Sequence, residues 1–159
     1  MSSPRIRRAV RAIVFDPAGR ILLVRFNFPQ RIVWACPGGG VEPGETDDIA
    51  IRRELDEEVG LAGFEIGPCV WIREHVIPLF GGKWDGQAER FYLVRAAAFQ
   101  PRPSLTSEEL AAEYVDDIRW WALDELDASL ETFAPRRLPA LLRALLRDGP
   151  GVAPIDVGV

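Results

Sequence analysis

The stretch from residue 39 to residue 61, GGVEPGETDDIAIRRELDEEVGL, decides the fold because its helical signals and its charged residues coincide. Thr46 is a good helix N-cap, and Asp47 and Asp48 suit the positive end of a helix dipole. Apolar residues then recur at helical spacing until a glycine supplies a C-terminal stop. The pattern predicts a helix over residues 47–58 that docks one apolar face on a core.

Three glutamates share the other face of this helix. Glu54, Glu57 and Glu58 stand at positions i, i+3 and i+4 and therefore lie within about 100° of its circumference. Like charges one turn apart cost roughly 0.2–0.5 kcal/mol per pair on an exposed helix, and more in a cleft. Arg53 can reach Glu57, but one arginine does not neutralise three carboxylates. The cluster predicts a hard divalent cation, Mg²⁺ or Mn²⁺, and the alternative is a solvated helix face with an Arg–Glu pair.

The loop before the helix favours the cation over the solvated face. Pro37 is followed by three glycines, whose backbone N–H groups can approach a phosphate without side chains in the way. Gly39, Glu45, Arg53-Glu54-Leu55, Glu57-Glu58 and Gly60-Leu61 stand at spacings that resemble the Nudix box at every specified position. A chance match of this kind is on the order of 10⁻¹⁰ per starting position.

The resemblance to the Nudix family implies a fold, an activity and a cofactor. The fold class is α/β (α+β), an α/β/α sandwich around a mixed sheet in which the box forms a loop–helix–loop. The activity is hydrolysis of a nucleoside diphosphate linked to another group X, with one to three Mg²⁺ or Mn²⁺ ions. The implied substrates are a nucleoside triphosphate, ADP-ribose, a nucleotide sugar or a dinucleoside polyphosphate. The alternative function is a non-catalytic domain that senses a nucleotide.

The same resemblance implies roles for individual residues. Glu57 and Glu58 are metal ligands, and Glu54 is either a ligand or the general base that activates water. Glu45 supports the metal shell, Arg53 orients the glutamates through a salt bridge, and Gly39 shapes the phosphate-binding loop. The remaining candidates are Gly40 for phosphate binding, Arg25 for a phosphate contact, Trp34 for stacking on a base, and Glu89, Glu109 or Glu113, with Glu113 favoured, as an acidic residue outside the box.

The rest of the chain predicts a mixed sheet covered by helices. Residues 1–148 are expected to form one domain, followed by a flexible tail over residues 149–159, which is rich in glycine and proline. A loop containing Gly81 and Gly82 is expected before the strand at 90–97. Strands are predicted over 9–15, 21–26, 33–35, 65–73, 90–97 and 118–122, a helical or irregular stretch over 107–113, and helices over 123–130 and 139–147.

Composition limits the remaining possibilities. The chain has 159 residues, 48% of them hydrophobic, and a formal net charge of −5, which argues against a general nucleic-acid binder. One histidine and two cysteines exclude the usual zinc sites. The sequence has no apparent secretory signal or membrane span, which predicts a cytoplasmic protein acting on a small nucleotide, with a homodimer as one expected state. The basic start, with Arg5, Arg7, Arg8 and Arg11, is interpreted as a solvated end rather than as a cleft wall.

Overall fold

A single mixed sheet dominates the computed structural model, which describes residues 2–78 and 82–159. The expected α/β (α+β) class is confirmed. Gly81, expected in a loop with Gly82, lies outside the described residues. The strands are β1 (Ile6–Phe15), β2 (Ile21–Asn27), β3 (Ile32–Ala35), β4 (Gly38–Gly40), β5 (Ile66–His75), β6 (Gly86–Arg95), β7 (Val115–Trp121), β8 (Phe133–Ala134) and β9 (Ile155–Asp156), and the helices are α1 (Asp47–Val59), α2 (Ser107–Ala112), α3 (Leu123–Ala128) and α4 (Leu138–Asp148).

Helix α1 begins and ends where its local sequence predicts. The Thr46 hydroxyl accepts a hydrogen bond from the Ile49 N–H at 3.2 Å, and Gly60 ends the helix in the left-handed region with φ of 73°. Ile51 and Leu55 are buried against the sheet. This apolar contact fixes the rotation of the helix and therefore the direction in which its glutamates point.

Helices cover both faces of the sheet. Successive residues of β2 alternate between the two cores: Leu22 packs in the cluster that contains the apolar face of α1, whereas Leu23 packs in the cluster that contains Leu138 and Leu142 of α4. The layers are therefore α1, the sheet, and α3 with α4. None of the helices in the described part of the chain combines the length and apolar character needed to span a membrane.

The sheet divides along β1. This strand runs parallel to β6 over its whole length, but it pairs with β2 only at Phe15 and Ile21. In its middle, at residues 9–11, β1 pairs with β4 instead. Strand β2, with β3 and β7 paired to it, therefore turns away from β1 and leaves a space between the two groups of strands.

Two expectations about the first forty residues are wrong. The glycines after Pro37 form strand β4 rather than a loop, and a Cβ on Gly38 would lie 2.0 Å from the Val10 carbonyl oxygen. Glycine is required because the two backbones approach so closely. The expectation that the whole basic start is solvated is also wrong: Arg5 and Arg8 are exposed, but β1 begins at Ile6 and Arg11 is largely buried within it.

The segment after residue 148, expected from its glycines and prolines to be loosely held, packs against the sheet. Strand β9 pairs in parallel with β5 at Trp71 and Ile72. The Val157 side chain is 2% exposed, and its N–H donates to the Ile72 carbonyl at 3.0 Å.

The end of α1 permits a matched stability test with two glycines. Gly60 and Gly63 have φ of +73° and +70°, but a Cβ would lie 1.9 Å from the Arg102 carbonyl oxygen only at Gly60 and would meet nothing within 4 Å at Gly63. We expect Gly63→Ala to lower the free energy of unfolding by roughly 1 kcal/mol through backbone strain. Gly60→Ala should lower it by roughly 1–3 kcal/mol more, because the contact is added to the strain. Equal losses in urea titrations would contradict the contact.

Candidate active site

Two glutamates of α1 face inward although they carry charge. Glu54 is 5% exposed and Glu58 is 1% exposed. Strand β4 lies against this side of the helix, and the Gly38 N–H donates to Glu58 Oε1 at 2.7 Å. The helix therefore presents two carboxylates to a site that water reaches poorly.

Glu113 completes a cluster of three carboxylates. It caps the C-terminus of α2, and each of Glu54, Glu58 and Glu113 offers one oxygen within 4.8 Å of the others. The next residue, Tyr114, has φ of +66°, a backbone conformation that costs a non-glycine residue roughly 1–2 kcal/mol. Hydrogen bonds hold it there, because its N–H donates to the Ala111 carbonyl and its carbonyl accepts from the Asn27 N–H. Strained backbone of this kind is common at functional sites.

The other acidic candidates outside α1 have different partners. Glu109 closes the capping box of α2 by accepting a hydrogen bond from the Thr106 N–H at 3.0 Å. Glu89 lies between Arg11 and Arg73 and forms an ion pair with each. Of the three acids considered, the structure brings only Glu113 to the carboxylates of α1.

The cluster is electrostatically unfavourable by itself. Burial raises the pKa of Glu54 to about 7, and the charges of Glu113 and Glu57 act in the same direction. Burial and the Glu54 charge raise the pKa of Glu58 well above its ordinary value, and burial and the Glu57 charge raise that of Glu113. Two carboxylates about 5 Å apart repel by roughly 3 kcal/mol at an effective dielectric constant of about 20.

Arg53 ties the cluster to the segment before α1. Its Nε and Nη2 donate to Glu45 at 2.8 Å each, and Nη2 also donates to the Gly40 carbonyl at 3.0 Å. Its Nη1 donates to Glu54 at 2.9 Å and to Glu57 at 3.4 Å. These hydrogen bonds lower the pKa of Glu45 to about 2 and raise that of Arg53. One guanidinium group thus holds three carboxylates and a backbone carbonyl in place.

The donor set fits a hard divalent cation. Oε2 of Glu54 is buried and has no hydrogen-bond partner among the described residues. The glutamate oxygens nearby are the ligand type that Mg²⁺ and Mn²⁺ prefer. Gly39 leaves room for this arrangement, because a Cβ there would lie 2.5 Å from Glu54 Oε1.

A cavity of about 820 Å³ lies in the space where β1 and β2 diverge. Aromatic rings line it, including Phe26, Phe28 and Tyr114, and the Phe28 and Tyr114 ring centroids are 5.2 Å apart. Because Tyr114 directly follows Glu113, the cavity begins beside the carboxylate cluster. Arg7 bridges the two regions, since its Nη1 donates to Gln87 in the cavity wall at 2.9 Å and its guanidinium lies against Gly40.

Two residues expected to bind substrate lie elsewhere. Arg25 forms an ion pair with Asp116 at 3.0 Å. Trp34 is 4% exposed and packs edge-on against Trp121 in the core beneath α4, with ring centroids 5.2 Å apart. The neighbours of Trp34 on its strand, Val33 and Ala35, line the cavity instead. Side chains alternate along a strand, so this choice of face separates Trp34 from the site.

Arg7 and Arg11 are site residues that the sequence interpretation missed. They lie on the same side of β1, and each donates a hydrogen bond to a cavity-lining residue of β6. A signal was available: arginines alternate with small or apolar residues at positions 7, 9, 11 and 13, the spacing of one strand face.

Comparisons with known proteins agree with this geometry. A family model described as the NUDIX domain matches residues 5–144. Nudix hydrolase 25 of Arabidopsis thaliana is 35% identical over 114 residues, which are 64% of this chain and 62% of that protein. An RNA pyrophosphohydrolase of Rickettsia bellii is 32% identical over 117 residues, 69% of this chain and 71% of that protein. A MutT NUDIX hydrolase from Burkholderia pseudomallei has a similar crystal structure, with a TM-score of 0.63 and 26% identity over 87% of this chain and 97% of that one. The chain belongs to the Nudix family of hydrolases.

Proposed function

We propose that this Nudix hydrolase cleaves a pyrophosphate bond in a nucleoside diphosphate linked to another group, with Mg²⁺ or Mn²⁺ as cofactor. The observation that carries the proposal is the cluster of buried Glu54 and Glu58 with the more exposed Glu113, whose oxygens lie within 4.8 Å of one another beside a cavity. The carboxylates of such a cluster repel one another when no cation is bound. Binding of a cation offsets this repulsion.

Glu57, Glu58 and Glu113 would hold the cation. Its chemistry is charge neutralisation on the pyrophosphate oxygens and a lowered pKa for the attacking water. Glu45 acts through Arg53, which keeps the carboxylates of α1 in one arrangement by donating to Glu54 and Glu57. The glycines at 39 and 40 leave room for Glu54 and for the Arg7 guanidinium, which would face the pyrophosphate; a Cβ would lie 2.5 Å from Glu54 Oε1 at Gly39 and 2.6 Å from Arg7 Nε at Gly40.

Glu54 has two possible roles, a further ligand or the acceptor of the proton that the attacking water loses. Its Oε1 accepts from Arg53 at 2.9 Å, and its Oε2 has no partner among the described residues. Oε2 is therefore the atom that would accept the proton or coordinate the cation. The two roles differ in the metal affinity that they predict for a glutamine at this position.

The cavity would accommodate the group X or the nucleoside attached to the pyrophosphate. Its volume of about 820 Å³ and its aromatic walls suit a small nucleotide.

We propose a small molecule as substrate and the cytoplasm as the site of action. The name of the Rickettsia relative, an RNA pyrophosphohydrolase, makes RNA the competing substrate. The possible homodimer stays a prediction, to be checked by sedimentation.

The experiment is a substrate panel. Purified protein is incubated with Mg²⁺, Mn²⁺ or EDTA and with nucleoside triphosphates, ADP-ribose, nucleotide sugars, dinucleoside polyphosphates and an RNA carrying a 5′-triphosphate. We expect cleavage of at least one small nucleotide, no cleavage with EDTA, and a decrease of at least about 100-fold in Glu57→Gln. Glu65→Gln, which changes an exposed glutamate outside the site, is the control and should retain activity.

Three results would overturn parts of the proposal. Cleavage of RNA alone would replace the small nucleotide by a nucleic acid. Full activity in Glu57→Gln would show that Glu57 is not a required metal ligand. Thermal stabilisation by a nucleotide without turnover would favour the alternative, a domain that senses a nucleotide without hydrolysing it.

A further inference from the structure

A buried row of charged side chains crosses the wall of the cavity. Arg73 and Glu89 are 6% and 4% exposed, and Arg73 Nη1 forms an ion pair with Glu89 Oε1. The other Glu89 oxygen accepts from Arg11 Nε at 2.6 Å. Burial alone would raise the pKa of Glu89, but the two arginines hold it below the ordinary value. Each group depends on the next, because breaking one pair leaves a buried charge uncompensated.

The inner end of this row reaches the carboxylate cluster. Arg11 Nη1 donates to the Cys36 carbonyl at 3.3 Å and to the Gly38 carbonyl at 3.1 Å. The N–H of the same glycine donates to Glu58 at 2.7 Å. Arg11 therefore fixes the residue whose backbone orients a proposed metal ligand.

The outer end of the row reaches the last residues of the chain. Arg73 Nε donates to the Gly158 carbonyl at 3.0 Å. Gly158 is itself held in place, because the preceding Val157 is buried and hydrogen-bonded to Ile72, and the Val157 carbonyl accepts from Arg137 at 3.3 Å. Without the Gly158 oxygen, a largely buried arginine would lose an acceptor, which is costly in a site of this polarity.

We infer that residues 155–158 are a positioning element of the active site: by holding Arg73 they orient Glu89 and Arg11, which set the Gly38 N–H against Glu58. The inference rests on the proposed function for the role of Glu58. The segment touches no reacting group, and its effect passes through the row of charges. Partners of this kind, one step removed from the ligands, commonly change metal affinity or activity by about 10- to 100-fold.

The test removes the segment and measures the distant site. Deletion of residues 155–159 is compared with deletion of Val159 alone, which keeps an oxygen acceptor for Arg73 on Gly158, as part of a terminal carboxylate. Far-UV circular dichroism and the Tm establish that each variant is folded at the assay temperature. The dissociation constant for Mn²⁺ is measured by calorimetry without nucleotide, and kcat and KM are measured on the substrate that the parent cleaves. We expect the longer deletion to weaken Mn²⁺ binding and to lower kcat by about 10-fold or more, and the shorter one to change neither.

Combining the deletion of residues 155–159 with Glu89→Gln distinguishes positioning through the row from a general loss of stability. If the segment acts through the row, the deletion should have little further effect on kcat once Glu89→Gln has interrupted it. Arg73→Lys keeps the charge but cannot bind both Glu89 and the Gly158 carbonyl with a planar fork, so it should reproduce the deletion. If the deletion variant does not fold, Arg73→Lys still tests whether residues 155–158 act through Arg73. Arg90→Lys, at an exposed arginine of β6, is its matched control.

Three outcomes would overturn the inference: a folded deletion variant with unchanged kcat and Mn²⁺ affinity, additive effects in the double variant, or an Arg73→Lys variant that behaves like Arg90→Lys. Failure of the proposed function gives a different result, a parent chain that cleaves nothing in the panel. The Mn²⁺ measurement still tests the positioning element in that event.

Discussion

Glu54→Gln is expected to lower kcat by about 10²- to 10⁴-fold and, in the absence of metal, to stabilise the protein. The carboxylate is 5% exposed, lies within 4.8 Å of two others, and has one oxygen that no described residue hydrogen-bonds. Glutamine removes the repulsion and can donate a hydrogen bond to Glu58 or Glu113. The metal-free variant should therefore gain roughly 1–2 kcal/mol in its free energy of unfolding.

Metal titration of the same variant separates the two roles of Glu54. A cation at 100 times its dissociation constant stabilises the parent by about 2.7 kcal/mol, which corresponds to a rise in Tm of roughly 5–10 °C for a chain of this size. If Glu54 accepts the proton, Glu54→Gln keeps this rise and loses turnover. If Glu54 is a ligand, Glu54→Gln loses both the rise in Tm and turnover. Glu65→Gln should match the parent in each measurement, and retained turnover in Glu54→Gln would exclude both roles.

Arg53→Ala should abolish detectable turnover and also destabilise the protein. A single guanidinium, 22% exposed, bonds Glu45, Glu54, Glu57 and the Gly40 carbonyl. Its loss leaves the carboxylates to repel one another and frees the segment before α1. We expect a decrease of roughly 2–4 kcal/mol in the free energy of unfolding, somewhat less than for a fully buried pair because water reaches part of the group.

Arg53→Lys should divide these two effects. Lysine keeps the positive charge and recovers most of the stability, but its ammonium group cannot place five donors in a plane, so kcat stays roughly 10- to 100-fold below that of the parent. Arg52→Ala is the control, because this neighbour bonds Asp48 and the Phe64 carbonyl and lies over the Phe64 ring on the exposed side of α1, so its loss should cost less than about 1 kcal/mol. Normal turnover in Arg53→Lys would show that charge alone suffices.

The sequence predicted those parts of the site that lie within one element. The caps of α1, its apolar face and its glutamates all lie between Thr46 and Gly60, and helical geometry alone brings them together. The match to the Nudix box, from Gly39 to Leu61, also lies within one short segment of the chain. Glu113 could be favoured over Glu89 and Glu109 only by its position before a strand, because its approach to α1 depends on the pairing of β7 with β2.

Residues that depend on long-range pairing could not be placed. The glycines after Pro37 have poor strand propensity, and they form β4 only because β1 offers unpaired backbone groups on that side. Trp34 was expected near the substrate and lies in the opposite core, because a shift of one position along a strand changes the face. Arg11 looked like a surface charge because its partner Glu89 is 78 residues away.

The single pair of residues that joins β1 to β2, Phe15 and Ile21, has an evolutionary consequence. The carboxylates of the cluster reside on α1 and at the end of α2, whereas much of the cavity wall belongs to strands that leave β1 after this one connection. Side-chain substitutions at cavity-lining positions of β3, such as Val33 and Ala35, can therefore reshape the chamber without disturbing the pairing of β2 with β7 that places Glu113. A fold divided in this way lets descendants exchange one nucleotide derivative for another without rebuilding the chemistry.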